Sequence, residues 1–68
     1  MKAVAGKEMC KALERHGWQL ARINGSHHIY TQPGNSVAIS VPVHGNRSLK
    51  SGTQRKIMRD AGLNESDL

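Results

Sequence analysis

The sequence predicts a small α+β domain of order α-β-β-β-α, in which both helices pack on one face of a three-stranded antiparallel sheet. Three observations predict it. Apolar residues recur at helical spacing near both ends, alternating stretches separated by turn signals lie between them, and 68 residues are enough for only one domain. Because a chain of this length buries only about 60% of its unfolded surface, we expect a thin core and a functional site on the surface.

The first helix is predicted over about 7–16, where Met9 and Leu13 lie at helical spacing and Gly17 supplies a C-terminal stop. Gly6 stands where an N-cap serine or threonine is usual, which should cost only a few tenths of a kcal/mol. The second helix is predicted over about 53–61 and ends at Gly62. We expect the acidic tail "NESDL" behind it to fray.

Three strands are predicted between the helices, over about 18–23, 26–31 and 36–42. An Asn-Gly pair, the strongest short-range hairpin signal, separates the first two, and a Pro-Gly-Asn turn separates the second from the third. Pro42 indicates that the third strand ends there or lies at an edge. The layout is that of double-stranded-RNA-binding-like domains, with the second sheet face open to a ligand, although such a likeness of fold fixes no function.

The charge distribution indicates a polyanion or an acidic protein as partner. The formal net charge is +5, and five cations precede the next acid in one run: Arg47, Lys50, Arg55, Lys56 and Arg59. The longest apolar stretch, "VAISVPV", is far shorter than the roughly 20 residues that span a bilayer, so no membrane association is expected. A lone cysteine and the absence of a charged-then-apolar leader lead us to expect a cytoplasmic protein.

The histidines are the candidate catalytic residues, because a side chain that titrates near neutrality can both take and return a proton. RNA carries its own nucleophile, the 2′-OH, so an acid, a base and a cation suffice to cleave it without metal. His27 is the first candidate, with His28 and His44 as alternatives, and Arg22, Lys50 or Arg47 could supply the cation. The competing interpretation is that each histidine simply packs in the sheet.

Two adjacent histidines on a strand cannot act together on one bound group, since successive side chains point to opposite faces of the sheet. The hairpin register decides which one faces the open side. With a two-residue Asn-Gly turn, Ile23 pairs with Ser26, and His27 shares a face with Arg22, Leu20 and Trp18.

With a three-residue loop and a G1 bulge, Arg22 pairs with Ser26, and His28 and Tyr30 join Trp18 and Leu20. This register gives the better core and leaves His27 on the open face. Tyr30 is then expected to pack rather than to stack on a base.

No metal ion and no cofactor are expected. A site built from Cys10, His27 and His44 would lack the paired-ligand spacing on one element that metal sites show. Cys10 lies on the apolar stripe of the first helix, where it should pack as a small hydrophobe.

Four stretches in order, "LERHGW", "NGSHHIYTQPG", "VPVHGNRSLKSGT" and "RKIMRDAGL", resemble the HicA family of toxin mRNA interferases. The resemblance covers nearly the whole chain. It implies a domain that cleaves mRNA independently of the ribosome, arrests translation and is neutralised by a HicB-type antitoxin protein, with oligomers formed only through that complex. The family's catalytic histidine lies in a Gly-Ser-His segment, which corresponds to Gly25, Ser26 and His27.

We therefore expect His27 to be catalytic and the RNA to be held by a set of polar and cationic residues: Arg22, Ser26, Lys50, Arg55 and Arg59. One departure is Gln54, where the family usually has an apolar residue, so the start of the second helix is expected to dock less tightly or to be displaced. The alternative function is a non-catalytic RNA-binding module of the same fold. In a third hypothesis, which is less favoured, the second helix binds DNA in the major groove. It is less favoured because no second helix is predicted at helix-turn-helix spacing.

Overall fold

The computed structural model describes residues 2–68 and has the predicted α-β-β-β-α order. Its elements are α1 (Gly6–Arg15), β1 (Gln19–Asn24), β2 (His27–Gln32), β3 (Asn35–Pro42), α2 (Ser51–Ala61) and a final 3₁₀ helix (Glu65–Asp67). The sheet is antiparallel with the order β1-β2-β3. The central strand is therefore β2, and β1 and β3 are its edges.

Both helices cover one face of the sheet, as predicted, and leave the other face open. The core lies between the helices and the covered face, and its large buried side chains come from α1, the residue before β1, β2, β3 and α2: Met9, Leu13, Trp18, Tyr30, Ile39, Val41 and Ile57. Cys10 is buried among them, which confirms its prediction as a packing residue.

The element bounds differ from the predicted ones by one or two residues. The strands begin at 19, 27 and 35 rather than 18, 26 and 36, and α1 runs over 6–15 rather than 7–16. The start of α2 is two residues earlier than predicted, since Lys50 is its N-cap residue. The N-cap of α1 is Ala5, not Gly6, and its N–H group donates to the Glu8 carboxylate at 3.2 Å.

Gly6 is required where α1 meets the end of β3. A Cβ atom at this position would overlap the carbonyl oxygen of Pro42 and would lie 3.1 Å from the Cα atom of Val43. Both neighbours are backbone atoms, so they cannot move aside as a flexible side chain would. The missing side chain of Gly6 therefore fixes how closely α1 approaches the sheet.

The hairpin between β1 and β2 has neither of the two predicted registers. Asn24 pairs with His27, so the two-residue turn consists of Gly25 and Ser26 rather than of the Asn-Gly pair. Gly25 has φ 64° and occupies the first central position, where the tight hairpin turns require a positive φ. The Asn-Gly pair correctly predicted a hairpin, but the two turn residues begin one position later than predicted, at Gly25.

A β-bulge in β1 explains why each predicted register was partly right. The pairing shifts between Leu20 and Arg22, which leaves Ala21 as the extra residue. Leu20 pairs with Tyr30 on the covered face, while Arg22 pairs with Ile29 on the open face. The bulge thus places both the aromatic residues in the core and Arg22 on the face of His27. Leu20, expected in the core, remains 45% exposed.

Gln54 docks α2 firmly, so the expectation of looser docking was wrong. Its side chain is fully buried, its Oε1 atom accepts the N–H of Val4 at 3.2 Å, and its Nε2 atom donates to the carbonyl of Lys2. The carbonyl of Val4 in turn accepts the N–H of Leu49 at 2.8 Å. The buried Gln54 amide therefore has partners for both its oxygen and its nitrogen and ties the N-terminal segment to α2, while Leu49 ties the same segment to the loop before α2.

The acidic tail does not fray within the described residues. Asn64 and Asp67 cap the 3₁₀ helix reciprocally, and the Asp67 Oδ2 atom accepts the N–H of Asn64 at 2.8 Å. Arg15 donates to the Asp67 carbonyl at 3.0 Å, and the His16 Nε2 atom lies 3.2 Å from the Asp67 carboxylate. The tail is therefore held against the end of α1. No helix among residues 2–68 has the length and apolar character needed to cross a bilayer.

Candidate active site on the open face of the sheet

The two adjacent histidines point to opposite faces of the sheet. His27, the first residue of β2, is exposed and pairs with Asn24 on one side and Pro42 on the other. His28 is half-buried on the covered face, where it pairs with the fully buried Val41. Only His27 is therefore presented to a ligand on the open face.

Ser40 holds the His27 ring from the neighbouring strand. Its Oγ atom lies 3.1 Å from the Nδ1 atom of His27, and a serine hydroxyl can either donate to this nitrogen or accept from it. The contact leaves the Nε2 atom of His27 as the ring nitrogen available to a ligand. Sequence reasoning did not single out Ser40, although the alternation in "VAISVPV" places it on the face opposite Ile39 and Val41.

Arg22 lies on the same open face, as one of the two predicted registers required. It stands on the edge strand β1, opposite Ile29, and is exposed. Each of the three strands thus contributes a polar side chain near His27 on this face, among them Arg22 from β1 and Ser40 from β3. A guanidinium, an imidazole and a hydroxyl group consequently face the same solvent region.

A groove begins where β3 ends, next to His27. It has a volume of about 290 Å³ and is lined by Pro42, His44, Arg47, Ser48, Leu49, Lys50 and Thr53. Pro42 stands directly opposite His27 in the sheet, and the N–H of Val43 donates to the carbonyl of Ser26 at 2.7 Å. The fold therefore brings His44, Arg47 and Lys50 to one groove beside the His27 turn.

Arg55 and Arg59 are not part of this groove. Helical spacing places them on one flank of α2, while Thr53, Lys56 and Asp60 occupy the other flank, which borders Ser40. Both arginines are exposed. The structure thus separates two of the predicted RNA-holding residues from the others.

Tyr30 belongs to the core on the opposite side of the sheet from His27. It is 1% exposed, and its hydroxyl donates to the Glu14 carboxylate at 2.8 Å, which confirms that it packs. Burial, together with the contacts to Cys10 and Glu14, raises the pKa of Tyr30 above its usual value. Burial also raises the pKa of the Cys10 thiol. Both groups therefore stay protonated at neutral pH and have a structural role.

Cys10 cannot complete a metal site with the two histidines considered from the sequence, because it lies in the core on the covered side of the sheet. His27 is on the open face, and His44 lines the groove.

Comparison with known proteins shows the family of the chain. The family model described as the HicA toxin of bacterial toxin–antitoxin systems matches residues 6–63. The chain belongs to the HicA toxin family. The matched region contains every residue of the open face and groove named above. The resemblance seen in the four sequence stretches is thereby confirmed.

A solved structure described as the HicA3 and HicB3 toxin-antitoxin complex is similar to this HicA chain. The TM-score is 0.67 and the sequence identity 27%, over 87% of this chain and 94% of that chain. A comparison with curated proteins gave no match. This structural similarity confirms the predicted fold, with three antiparallel strands and two helices.

Proposed function

We propose that this HicA chain is a metal-independent endoribonuclease that binds and cleaves mRNA in the cytoplasm and so arrests translation. The observation that carries the proposal is the position of His27: it is exposed on the open sheet face, and Ser40 leaves its Nε2 atom available. A histidine so placed is suited to general acid–base catalysis. Family membership supports a toxin, and the open face supplies the chemistry.

In the proposed reaction, the Nε2 atom of His27 takes the proton of a ribose 2′-OH. The 2′ oxygen forms a bond to the adjacent phosphorus, and the bond from phosphorus to the leaving 5′ oxygen breaks. The leaving oxygen receives a proton, which gives a 2′,3′-cyclic phosphate and a free 5′-OH. Because Nε2 must be unprotonated to act as the base, Nδ1 carries the ring proton, and the Ser40 hydroxyl accepts a hydrogen bond from Nδ1 before and after the proton transfer.

His44 is the better candidate for the second proton-transfer group. It is exposed and lines the groove beside the His27 turn, whereas His28 lies on the covered face. Because His28 is on the covered face of the central strand, it could reach the same phosphate only if the sheet rearranged. We therefore assign His44 as the acid for the leaving oxygen and His28 a packing role.

The cations hold the phosphates. Arg22 stands on the open face with His27 and is assigned to the charge that develops on the scissile phosphate, and Ser26 contacts the same nucleotide from the turn. Lys50 binds the backbone from the groove. Arg55 and Arg59, on the far flank of α2, contact a more distant part of the strand.

A HicB-type antitoxin is the proposed protein partner, and oligomers form only through that complex. The net charge of +5 makes the RNA-binding face attractive to an acidic protein surface as well. An antitoxin that covers this face occludes His27. The similar HicA3 and HicB3 complex supports a partner of this kind.

The proposal is tested by incubating the purified chain with single-stranded RNA at neutral pH. Cleavage that stops when a HicB-type antitoxin is added is the expected result. RNA that stays intact but is retarded on a gel in a salt-dependent manner would indicate a non-catalytic RNA-binding module instead.

Ser40→Ala should reduce the turnover number for RNA cleavage by about 3- to 10-fold, because one hydrogen bond that orients His27 is worth about 0.5–1.5 kcal/mol. KM should not change, since Ser40 is assigned no contact with RNA. Ser40→Thr keeps the hydroxyl and should restore the rate. Ser36→Ala removes an exposed serine from the same strand and is the control. Equal rates for Ser40→Ala and the parent would refute the orienting role.

A further inference from the structure

The groove at the end of β3 has the features of a nucleotide-binding site. Its lining combines two cations, Arg47 and Lys50, with an apolar wall formed by Pro42 and Leu49, and it contains no carboxylate. Within residues 2–68 neither cation forms an ion pair, whereas Lys56 and Arg59 of α2 both lie near Asp60. The positive charge of the groove is thus available to bind an anionic ligand.

The groove adjoins the His27 site through Pro42. Pro42 forms its near wall and is directly opposite His27, and such paired residues have Cα atoms about 4.5–5.5 Å apart. The loop that carries the groove residues is anchored at both ends: the N–H of Val43 donates to the carbonyl of Ser26, and the N–H of Leu49 donates to the carbonyl of Val4. A strand whose phosphate lies at His27 would therefore enter a preformed groove.

We propose that this groove binds a single-stranded RNA nucleotide that flanks the scissile phosphate, with Arg47 and Lys50 on its phosphate and the Pro42 and Leu49 wall against its base. The inference rests on the proposed function for its position relative to the reaction. The volume of about 290 Å³ suits one nucleotide rather than a duplex. Single-stranded RNA, with its bases unstacked, offers both the apolar face and the phosphate that the groove matches. The groove then contributes to binding and to the choice of cleavage site.

The test measures RNA binding by the full chain with His27→Ala, so that the RNA stays intact. The probe is a single-stranded RNA oligonucleotide of mixed sequence. Adding Arg47→Gln and Lys50→Gln should weaken binding about tenfold or more at 0.1 M salt. Two lost phosphate contacts should also reduce the slope of log affinity against log salt by about 1.4.

The control removes the same charge from α1. Lys7→Gln with Lys11→Gln alters two exposed lysines on the helix that covers the other face of the sheet, and it should change the affinity by less than about threefold. Equal losses for the two pairs would show general electrostatic attraction only and overturn the site. Unchanged RNA binding, with binding of a HicB-type antitoxin lost, would show a protein interface and overturn it as well.

The proposed function and the groove are tested by different measurements. If the His27→Ala chain still cleaves the oligonucleotide, the catalytic assignment is wrong. The groove is then tested with 2′-O-methyl RNA, which has no free 2′-OH to react, and the same comparison of the two double variants decides it.

Discussion

Replacing His27 with alanine should reduce RNA cleavage by about 100- to 10,000-fold, the usual loss when one positioned proton-transfer group is removed. Growth arrest on expression should disappear with it. His27 is exposed and its side chain forms a hydrogen bond to Ser40, so the free energy of unfolding should change by less than about 1 kcal/mol. The measurements are the single-turnover cleavage rate, the growth rate and the thermal unfolding midpoint.

His28→Ala is the matched control, since it removes the same side chain from the next position on the same strand. It should lower the thermal midpoint, because His28 is half-buried against Val41, and leave the cleavage rate within about threefold. Toxicity of His27→Ala equal to that of the parent, at equal protein abundance, would show that the assignment to His27 is wrong.

Gly6→Ala should destabilise the fold by about 1–3 kcal/mol, although alanine is normally the better helix former. The new methyl group would overlap the Pro42 carbonyl, and α1 could relieve this only by moving off the end of β3. For a domain of this size the thermal midpoint should fall by roughly 4–8 °C per kcal/mol. Thermal unfolding followed by circular dichroism checks the value.

Gly52→Ala supplies the matched control in the other helix. A Cβ at Gly52 meets no atom within 4 Å, so the substitution should raise stability by about 0.4–1 kcal/mol through the unfolded chain. Two Gly→Ala changes of opposite sign are expected. A Gly6→Ala variant as stable as the parent would show that α1 does not approach the end of β3 so closely.

The sequence carried enough information to predict the order of elements because local signals agreed with one another. Helical spacing, alternation and turn residues all pointed to α-β-β-β-α, and the bounds differ by one or two residues. Tyr30 and Cys10 could be placed in the core for the same reason. What local signals could not supply was the register, since an Asn-Gly pair marks a hairpin without stating which two residues form its turn.

The parts of the site that were missed depend on long-range packing. The bulge at Ala21 lets Leu20 pair with Tyr30 on the covered face while Arg22 faces the open side. The sequence of one strand alone does not indicate this arrangement. Gln54 looked unfavourable as a substitution, but its partners lie about fifty residues away in sequence, at Lys2 and Val4. The contact of Ser40 with His27 and the groove beside it likewise form only when β3 pairs with β2, so the sequence alone does not indicate them.

The chemical ends of the RNA products test most directly whether this HicA chain cleaves RNA by attack of the 2′-OH, without an activated water. Products of the purified wild-type chain should carry a 2′,3′-cyclic phosphate on the upstream fragment and a free 5′-OH on the downstream fragment. They can be distinguished by mass spectrometry and by whether polynucleotide kinase labels the downstream fragment without prior phosphatase treatment. A 5′-phosphate would instead require an activated water as nucleophile and would contradict the account.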